Sequence, residues 1–267
     1  VLPLTANRGF AHAANRGAAA GREPLLLLLN PDLELRPGAV DALAALLDRR
    51  PDAAGTVPLL EGPEGSSQHR WQLRRLPGAL RLASGRGGAA AFASAPREVA
   101  PVEQPAAAAW LVRRRVWEAL GGLDEGFTPA WWEDVDFCAR LRDRLRGPDA
   151  PAGEGFLVEP SAHMAHRGGS SVAALGDAAF LAAYHSNLLR YAARHHPAEL
   201  GRIRTGLRLS LAARTLLRRF TAGVMEEETL RALCEDAYDF EVPLEPVADR
   251  RWLLRLDRGP TASFKDF

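Results

Sequence analysis

A run of five leucines, Leu25–Leu29, is the feature of this sequence that most constrains its fold. Pro24 precedes the run and Asn30-Pro31 follows it, so an apolar segment of strand length lies between turn-forming residues. A short, continuous apolar run with such flanks is typical of a strand in a parallel sheet, where both faces are covered. We therefore expect Leu25–Leu29 to form a strand that is buried on both faces.

Helical segments alternate with predicted strands along the chain. The pattern predicts helices over residues 10–20, 37–50, 114–120 and 133–145, and further strands over residues 110–112 and 155–158. This alternation predicts an α/β fold with a mostly parallel sheet flanked by helices. From Asp177 onward the pattern is mainly helical. We expect a boundary near Ser171, between a core over residues 1–171 and a C-terminal region over residues 172–267.

Composition excludes several classes of protein. The net charge of +1 lacks the basic excess of a dedicated nucleic-acid-binding protein, so we expect no nucleic-acid partner. Cys138 and Cys234 are the only cysteines, which excludes a disulfide scaffold and favours a reducing compartment. Neither a signal-peptide pattern nor an apolar run of the roughly 20 residues that cross a bilayer is visible. We therefore expect a cytoplasmic location.

Asp32, in Asn30-Pro31-Asp32-Leu33-Glu34, is the first candidate for chemistry. A carboxylate directly after the C-terminal end of a sheet strand lies where open α/β sheets bind ligands. Its oxygens suit a divalent cation that bridges a diphosphate. A carboxylate in this place also commonly caps the following turn, and spacing alone does not decide between the two interpretations.

Three carboxylates follow two tryptophans in Trp131-Trp132-Glu133-Asp134-Val135-Asp136, at a predicted helix start. The helix dipole favours acids there, so an ordinary N-terminal cluster is one interpretation. Exposed aromatic faces beside carboxylates also suit the binding of a sugar ring, although tryptophan is equally a good core residue. A sugar site and a capped, packed helix start both remain open on this segment.

His163 and His166 are three residues apart and are followed, after Arg167, by Gly168-Gly169-Ser170. The segment suggests a loop that brings an imidazole and backbone N–H groups to an anion or a metal, and we interpret His163 as structural. Zinc-type Cys/His spacing, a Walker loop, a Gly-x-Ser-x-Gly elbow and a Gly-x-Gly-x-x-Gly fingerprint are all absent from the sequence.

Taken together, these segments resemble the family 2 glycosyltransferases of GT-A fold, in particular the rhamnosyltransferase-like branch. Any single motif is weak, but the ordered set is specific and extends over about residues 1–197. The matching motifs are Asn7-Arg8-Gly9-Phe10-Ala11, Asn15-Arg16-Gly17, Leu27-Leu28-Leu29-Asn30-Pro31-Asp32, Leu35-Arg36-Pro37-Gly38-Ala39, Leu111-Val112-Arg113-Arg114, Leu120-Gly121-Gly122-Leu123-Asp124-Glu125-Gly126-Phe127, Glu133-Asp134-Val135-Asp136-Phe137-Cys138-Ala139-Arg140-Leu141 and His166-Arg167-Gly168-Gly169-Ser170.

The resemblance implies a role for each matching residue. Asp32 corresponds to the second acid of the family's Asp-x-Asp-type motif and, with His166, would hold Mg²⁺ or Mn²⁺ on the donor diphosphate. Asp134 corresponds to the family's catalytic base, and Glu133 would orient it or contact the acceptor. The remaining residues that the resemblance places in substrate binding are Asn7, Asn15, Asn30 and Trp132.

The sequence departs from the family pattern in several places, two of which bear on substrate binding. The stretch 102–109 has no Gly-Ala pair before the strand that ends in Arg-Arg, and its added methyl groups would narrow the acceptor cleft. The strand, helix and strand that begin the family and hold the nucleotide are not found, so we expect a core without its first βαβ unit.

Residues 208–224 are predicted to form a two-sided helix. Leucines and other apolar residues fall on one side, and Arg208, Arg214, Arg218 and Arg219 fall on the other. A basic amphipathic helix can lie on an anionic membrane, which would suit peripheral contact with the inner face of a membrane and a lipid-linked acceptor. The same pattern also describes an ordinary surface helix that packs on a catalytic domain.

The resemblance implies an inverting, metal-dependent transferase. It would move a sugar, with L-rhamnose as the candidate, from a nucleotide-sugar donor to a hydroxyl of a glycan or lipid-linked acceptor in cell-surface polysaccharide synthesis. An alternative is a degenerate, non-catalytic relative that binds a glycan or a partner. A nucleotidyltransferase shares the α/β layout but needs a Gly-rich pyrophosphate loop followed by Lys, which this sequence lacks.

Overall fold

The computed structural model describes residues 2–4, 6–62, 64–146, 154–167, 177–221, 244–248 and 251–254. The described helices are α1 (Phe10–Ala20), α2 (Ala39–Arg49), α3 (His69–Gln72), α4 (Ala79–Ala83), α5 (Arg114–Leu120), α6 (Glu133–Arg146), α7 (Asp177–His195) and α8 (Leu200–Thr221), with a 3₁₀ helix at Pro197–Glu199. The described strands are β1 (Leu25–Leu29), β2 (Leu33–Leu35), β3 (Ala53–Glu61), β4 (Leu73–Arg74), β5 (Ala100–Val102), β6 (Gln104–Pro105), β7 (Ala109–Arg113), β8 (Glu154–His166), β9 (Leu244–Ala248) and β10 (Arg251–Leu254).

The chain divides into two compact units, residues 1–77 with 87–197 and residues 78–86 with 198–267. The first unit holds a six-stranded sheet in the order β1-β7-β3-β8-β2, with β5 also paired to β8. The long ladder between β3 and β8 is parallel, and the other ladders are antiparallel. Strands β1, β3 and β8 therefore point in one direction. The α/β class with flanking helices is confirmed, and the sheet is mixed.

Strand β1 forms where the leucine run predicts it, but it is not buried on both faces. It pairs with β7 from Leu25 opposite Arg113 to Leu29 opposite Ala109 and ends the strand order. Leu28 is buried, whereas Leu27 is 38% exposed. The prediction of a fully covered strand is wrong because a local apolar run does not reveal which strand ends a sheet.

Strand β3 is the central strand, and all but its last residue are buried. Gly55 is required there, because an added Cβ would lie 2.5 Å from the Phe156 ring and 2.8 Å from the Leu111 carbonyl oxygen. Its parallel partner β8 continues past Pro160 to His166, although the sequence predicts a strand only over residues 155–158. The register of this ladder shifts between Val57 and Leu59, where Pro58 of β3 and Pro160 of β8 lie. Proline is tolerated at such an irregularity because it does not need to donate a ladder hydrogen bond.

Two apolar clusters cover the two faces of the sheet. The first includes an aromatic group in which Trp110 packs on Phe137 of α6 and on Phe156, with ring centroids 5.5 and 4.6 Å apart. The second is built on α2, whose side chains Leu43 and Leu47 are fully buried. Helices on both faces thus leave the ends of the strands as the surface on which a site can form.

The described part of the second unit is mainly helical. Gly206 of α8 packs closely on Ala83, where an added Cβ would lie 2.7 Å from the alanine Cβ, and Ile203 and Leu207 are buried. Strands β9 and β10 form a separate antiparallel pair, which the sequence does not predict. The helix predicted over residues 208–224 is found to Thr221, and residues 222–224 lie outside the described residues. Among the described helices, none is long and apolar enough to cross a bilayer.

Candidate active site

Asp32 and His166 meet at the ends of two paired strands. Leu33 of β2 is opposite His166 at the end of β8, and the Arg167 N–H donates to the Asp32 carbonyl oxygen at 3.1 Å. This register brings His166 Nε2 to 3.5 Å from Asp32 Oδ1. The two residues that the sequence predicts as metal ligands from separate motifs therefore lie side by side.

Gln68 determines which nitrogen of the His166 ring carries hydrogen. Gln68 Nε2 donates to the His166 carbonyl oxygen at 3.0 Å, so Gln68 Oε1 faces His166 Nδ1 at 2.8 Å. An oxygen acceptor at Nδ1 places the hydrogen on that nitrogen and leaves a lone pair on Nε2 of the neutral ring. Burial lowers the pKa of His166, against the opposing effect of the Asp32 charge, and this favours the neutral form.

The Asp32–His166 pair has the chemistry of a partial metal site. A lone pair on Nε2 and a carboxylate oxygen face each other, and a cation that both contact would stabilise this arrangement. No group of three or more His, Cys, Asp or Glu side chains in the described part of the chain is placed to hold a metal ion. A cation here would need further ligands, as Mg²⁺ does where it binds one or two protein groups together with substrate phosphates.

Trp71 covers one face of the His166 ring. The two rings are stacked with centroids 5.2 Å apart and planes inclined by 16°. His166 is buried, whereas Trp71 on α3 is 47% exposed. An exposed indole therefore lies directly beside the Asp32–His166 pair.

Asp134 is the most accessible of the three carboxylates at the start of α6. Its Oδ2 accepts the Ala107 N–H and a hydrogen of Gln104 Nε2, both at 3.3 Å, and its Oδ1 accepts the Val135 N–H at 2.8 Å. The side chain is half-buried. Asp134 is thus held in place by neutral donors and still reaches the surface.

Residues 107 and 108 connect the two parts of the site. The Ala107 N–H contacts Asp134, and the carbonyl oxygen of its neighbour Ala108 accepts the Asn30 N–H at 2.8 Å, at the end of β1. Asn30 in turn accepts the Leu33 N–H on its carbonyl oxygen at 3.3 Å, in the turn that contains Asp32. The Asp32 turn and the carboxylate of Asp134 are therefore fixed to one short segment of backbone.

Glu133 is buried beside Asp134, and its Oε2 has no hydrogen-bond partner among the described residues. Loss of hydration raises the pKa of Glu133 to about 8, and repulsion from the Asp134 charge adds to the rise. A carboxyl with this pKa is mostly protonated at neutral pH. Glu133 therefore occupies the core as a neutral acid.

Asp136 is committed to structure. It is fully buried and accepts from Arg140 Nε at 2.7 Å, from His195 Nε2 at 2.8 Å and from Arg194 at 3.2 Å. Burial acts to raise the pKa of Asp136, but the hydrogen bonds from His195 and Arg140 outweigh it, and the pKa lies below its usual value. Of the three carboxylates, Asp136 is the one whose oxygens are taken up by cations.

Trp131 and Trp132 form a turn in an unusual backbone conformation. Their φ values are 71° and 79°, a region that bulky side chains rarely adopt. Trp132 is 2% exposed and packs on Tyr184 and Tyr191, and Trp131 is half-buried with its ring edge-on to Phe180. The exposed tryptophan face that the sequence suggests for sugar binding is therefore not found at Trp132, because α7 covers it.

Asn15 and Asn7 both bond to the protein's own backbone. Asn15 accepts the Leu123 N–H at 3.0 Å and donates to the Leu123 carbonyl oxygen at 2.8 Å and to Glu125 at 3.2 Å. Asn7 accepts the Gly9 N–H at 3.0 Å on the surface. The hydrogen bonds of Asn15 therefore fix the turn that follows α5. Substrate binding by Asn7, Asn15 and Asn30 stays a prediction.

Several residues at the site are not predicted from the sequence. Gln68, Trp71 and Gln104 come from an irregular stretch without a motif, and Asn187 lies inside a helix. The Asn187 Nδ2 lies 2.9 to 3.3 Å from the carbonyl oxygens of three residues in the turn before α6. Its only sequence signal is a polar residue on a helix face whose neighbours one turn away, Tyr184 and Tyr191, are aromatic.

Comparison with known proteins gives related sequences. No protein-family model matches the chain. Two curated proteins from Mycobacterium tuberculosis, strains CDC 1551 / Oshkosh and ATCC 25618 / H37Rv, are 33% identical over 245 residues, which is 81% of this chain and 74% of theirs. Both are N-acetylglucosaminyl-diphospho-decaprenol L-rhamnosyltransferases. The crystal structure of GalNAc-T7 with UDP, GalNAc and Mn²⁺ is 14% identical with a TM-score of 0.48, covering 63% of this chain and 32% of that one, a likeness too distant to carry an argument.

Proposed function

The chain belongs to the rhamnosyltransferase-like branch of the family 2 glycosyltransferases, and from that membership we propose that it transfers L-rhamnose from a nucleotide-sugar donor to a hydroxyl of a lipid-linked sugar acceptor. The relatives act on N-acetylglucosaminyl-diphospho-decaprenol, and the match to them extends over 81% of this chain. We extend both the sugar and the acceptor class to this chain on that basis.

The exposure and the hydrogen-bond partners of Asp134 are the observation that supports the catalytic part of the proposal. Among the acids at the start of α6, Glu133 is buried and mostly protonated at neutral pH, and Asp136 is buried and bonded to two arginines and a histidine. Asp134 is half-buried, and its hydrogen-bond partners among the described residues are all neutral donors. It is therefore the acid best placed to accept a proton from a substrate hydroxyl.

The proposed reaction is a direct displacement. The acceptor hydroxyl oxygen forms a bond to the anomeric carbon, the bond from that carbon to the diphosphate oxygen breaks, and the nucleoside diphosphate leaves with the bonding electrons. Asp134 takes the hydroxyl proton. General-base help of this kind contributes roughly 10²- to 10⁴-fold to the rate. Attack from the face opposite the diphosphate inverts the anomeric centre.

Asp32 and His166 would hold Mg²⁺ or Mn²⁺. When bound, such a cation stabilises the negative charge that develops on the leaving diphosphate. Gln68 keeps hydrogen on Nδ1 of His166 and so presents the lone pair of Nε2 on the side of Asp32. The chain's own part in this step is to bind the diphosphate end of the donor and to fix its orientation.

Substituting Asp134→Asn in the full-length protein tests the proposal. The donor in this assay is a nucleoside-diphosphate L-rhamnose, and the acceptor is an N-acetylglucosaminyl-diphospho-polyprenol. We expect the wild-type protein to transfer the sugar, and we expect kcat to be at least about 10²-fold lower in the variant. Donor binding, measured by a thermal shift in Mn²⁺, should be unchanged. Asp143→Asn is the matched control, since Asp143 lies on the same helix and its side chain is 55% exposed.

Three outcomes of this experiment would contradict the proposal. Retained turnover in the Asp134→Asn variant would contradict the assignment of the base. Wild-type protein that binds the donor but transfers nothing would favour the non-catalytic alternative. Wild-type protein with no response to donor or metal would count against a transferase of any kind.

We further propose that the protein acts at the cytoplasmic face of a membrane, which it contacts peripherally through residues 208–224. The described part of α8 exposes both Arg208 and Leu209. A lipid-linked acceptor has to be met at a membrane surface, and a basic helix is attracted to anionic headgroups.

The division into a transferase part over residues 1–171 and a C-terminal part over residues 172–267 also stays a proposal.

A further inference from the structure

The turn before the catalytic helix has a conformation that its own residues disfavour. Trp131 and Trp132 both have positive φ, and they directly precede Glu133 and Asp134. Bulky side chains seldom adopt this region, so the surrounding structure has to impose it. The Trp132 carbonyl oxygen accepts the Asp136 N–H at 2.9 Å and so begins the hydrogen bonding of α6. The conformation of this turn therefore sets where α6 starts.

Asn187 supplies the contacts that impose the turn. Its Nδ2 lies 2.9 Å from the Ala130 carbonyl oxygen, 3.2 Å from that of Trp131 and 3.3 Å from that of Thr128. The side chain is 4% exposed, so water is a poor substitute for it. An amide nitrogen has two hydrogens, which here are shared among three acceptors that converge on one point.

The rest of the same helix face completes a cradle for the turn. Tyr184 and Tyr191 lie one helical turn before and after Asn187, and both rings pack on Trp132 with centroids 5.4 and 5.3 Å away. Farther along α7, His195 bonds to Asp136 at 2.8 Å. Helix α7 thus contacts the start of α6 through the turn and again through a buried hydrogen bond.

We propose that Asn187 is a positioning residue, which orients Asp134 by holding the Trp131–Trp132 turn. It does not touch the carboxylate and acts only through the backbone of the turn. If the amide is lost, the three carbonyl groups lose their shared donor, the turn can relax toward negative φ, and the first turn of α6 rotates or unwinds. The Asp134 carboxylate can then still accept a proton, but it is no longer oriented toward the acceptor hydroxyl. The inference rests on the proposed function, because Asp134 is the base in that proposal.

Kinetics of three variants of the full-length protein test the inference. Asn187→Ala removes the donor, Asn187→Asp replaces it by an acceptor that repels the carbonyl oxygens, and Asn187→Ser keeps a shorter donor. Ser186→Ala, at the neighbouring exposed position, is the control. We expect kcat to fall at least tenfold in the Ala and Asp variants and less in the Ser variant. The donor KM should stay within twofold, and the near-ultraviolet circular dichroism of the tryptophans should change.

The outcomes separate this inference from the proposed function. If wild-type protein transfers no sugar, the proposed function is wrong. If wild-type protein is active and the folded Ala and Asp variants keep its kcat, Asn187 does not position the base. If kcat and the donor KM change together, Asn187 is a core residue and the inference is wrong. The same conclusion follows if all three variants are unfolded at the assay temperature, at which wild-type protein is folded.

Discussion

Replacing Glu133 by Gln should stabilise the protein at neutral and alkaline pH. Burial, together with the Asp134 charge, raises the pKa of Glu133 to about 8 from an ordinary value of 4.5. Between these two values the folded protein keeps a proton that the unfolded chain has released. The free energy of unfolding therefore falls as the pH rises through this window, and the contribution is fully present only below pH 4.5.

The size of the effect follows from the two pKa values of Glu133. Each pH unit inside the window removes about 1.4 kcal/mol of stability. From pH 4.5 to about 8 the loss is about 5 kcal/mol at most, and about 3 kcal/mol of it has occurred at pH 7. Glutamine has nearly the same shape and does not ionise. The variant should therefore match wild-type protein near pH 4.5 and exceed its stability by several kcal/mol at pH 8.

Urea unfolding followed by tryptophan fluorescence, at intervals from pH 5 to pH 8.5, measures this difference. Glu118→Gln is the matched control, because its side chain is 63% exposed and its replacement should leave the pH dependence unchanged. If the free energy of unfolding depends on pH in the same way in wild-type protein and in the Glu133→Gln variant, the reasoning is refuted. That result would mean that the Glu133 carboxyl ionises in the folded state as it does in the unfolded chain.

Three further predictions test other parts of the site. Asn15→Ala should lower the free energy of unfolding by about 2–4 kcal/mol in urea titrations, since it removes three hydrogen bonds, while the donor KM changes less than twofold; a stable variant with a raised KM would instead support substrate binding. Gln68→Ala should weaken Mn²⁺ binding about 10- to 100-fold in titration calorimetry, because the His166 ring loses its orienting partner. The exposed neighbour Arg70→Ala should not, and equal losses in both variants would contradict this role of Gln68. Replacing Arg208 and Arg214 by Ala should reduce sedimentation with vesicles of anionic phospholipid about 30-fold, at about 1 kcal/mol for each arginine, and unchanged sedimentation would exclude membrane contact through this helix.

The parts of the fold that local pattern determines were predictable. Helix α1 has the predicted bounds, α5 and α6 lie within a residue of theirs, and the leucine run is a strand. The proximity of Asp32 and His166 was also accessible, because the family motifs that contain them imply one metal site for both residues. These features depend on neighbouring residues or on an ordered set of motifs.

Features that depend on distant residues were not predictable. Trp132 is buried because Tyr184 and Tyr191 pack on it from α7, and nothing near Trp132 in sequence indicates that helix. Likewise β1 is exposed at Leu27 because of its place in the strand order. Asn15 could be assigned to a motif, but only the fold shows that its amide bonds to Leu123 and Glu125. A sequence motif gives the type of residue at a position, but it does not show which distant residue that side chain contacts.

The double attachment of α7 to α6 has a consequence for how the protein opens. Separating the helices would leave the carbonyl oxygens around Asn187 without their donor and the buried Asp136 without His195, so neither helix can open alone at low cost. The two should form one cooperative unit in native-state hydrogen exchange. The amides of Leu188 and Ala192, both fully buried, should then exchange with the same free energy as that of Phe137 and respond alike to added denaturant. Earlier exchange in α7 would show that it opens by itself.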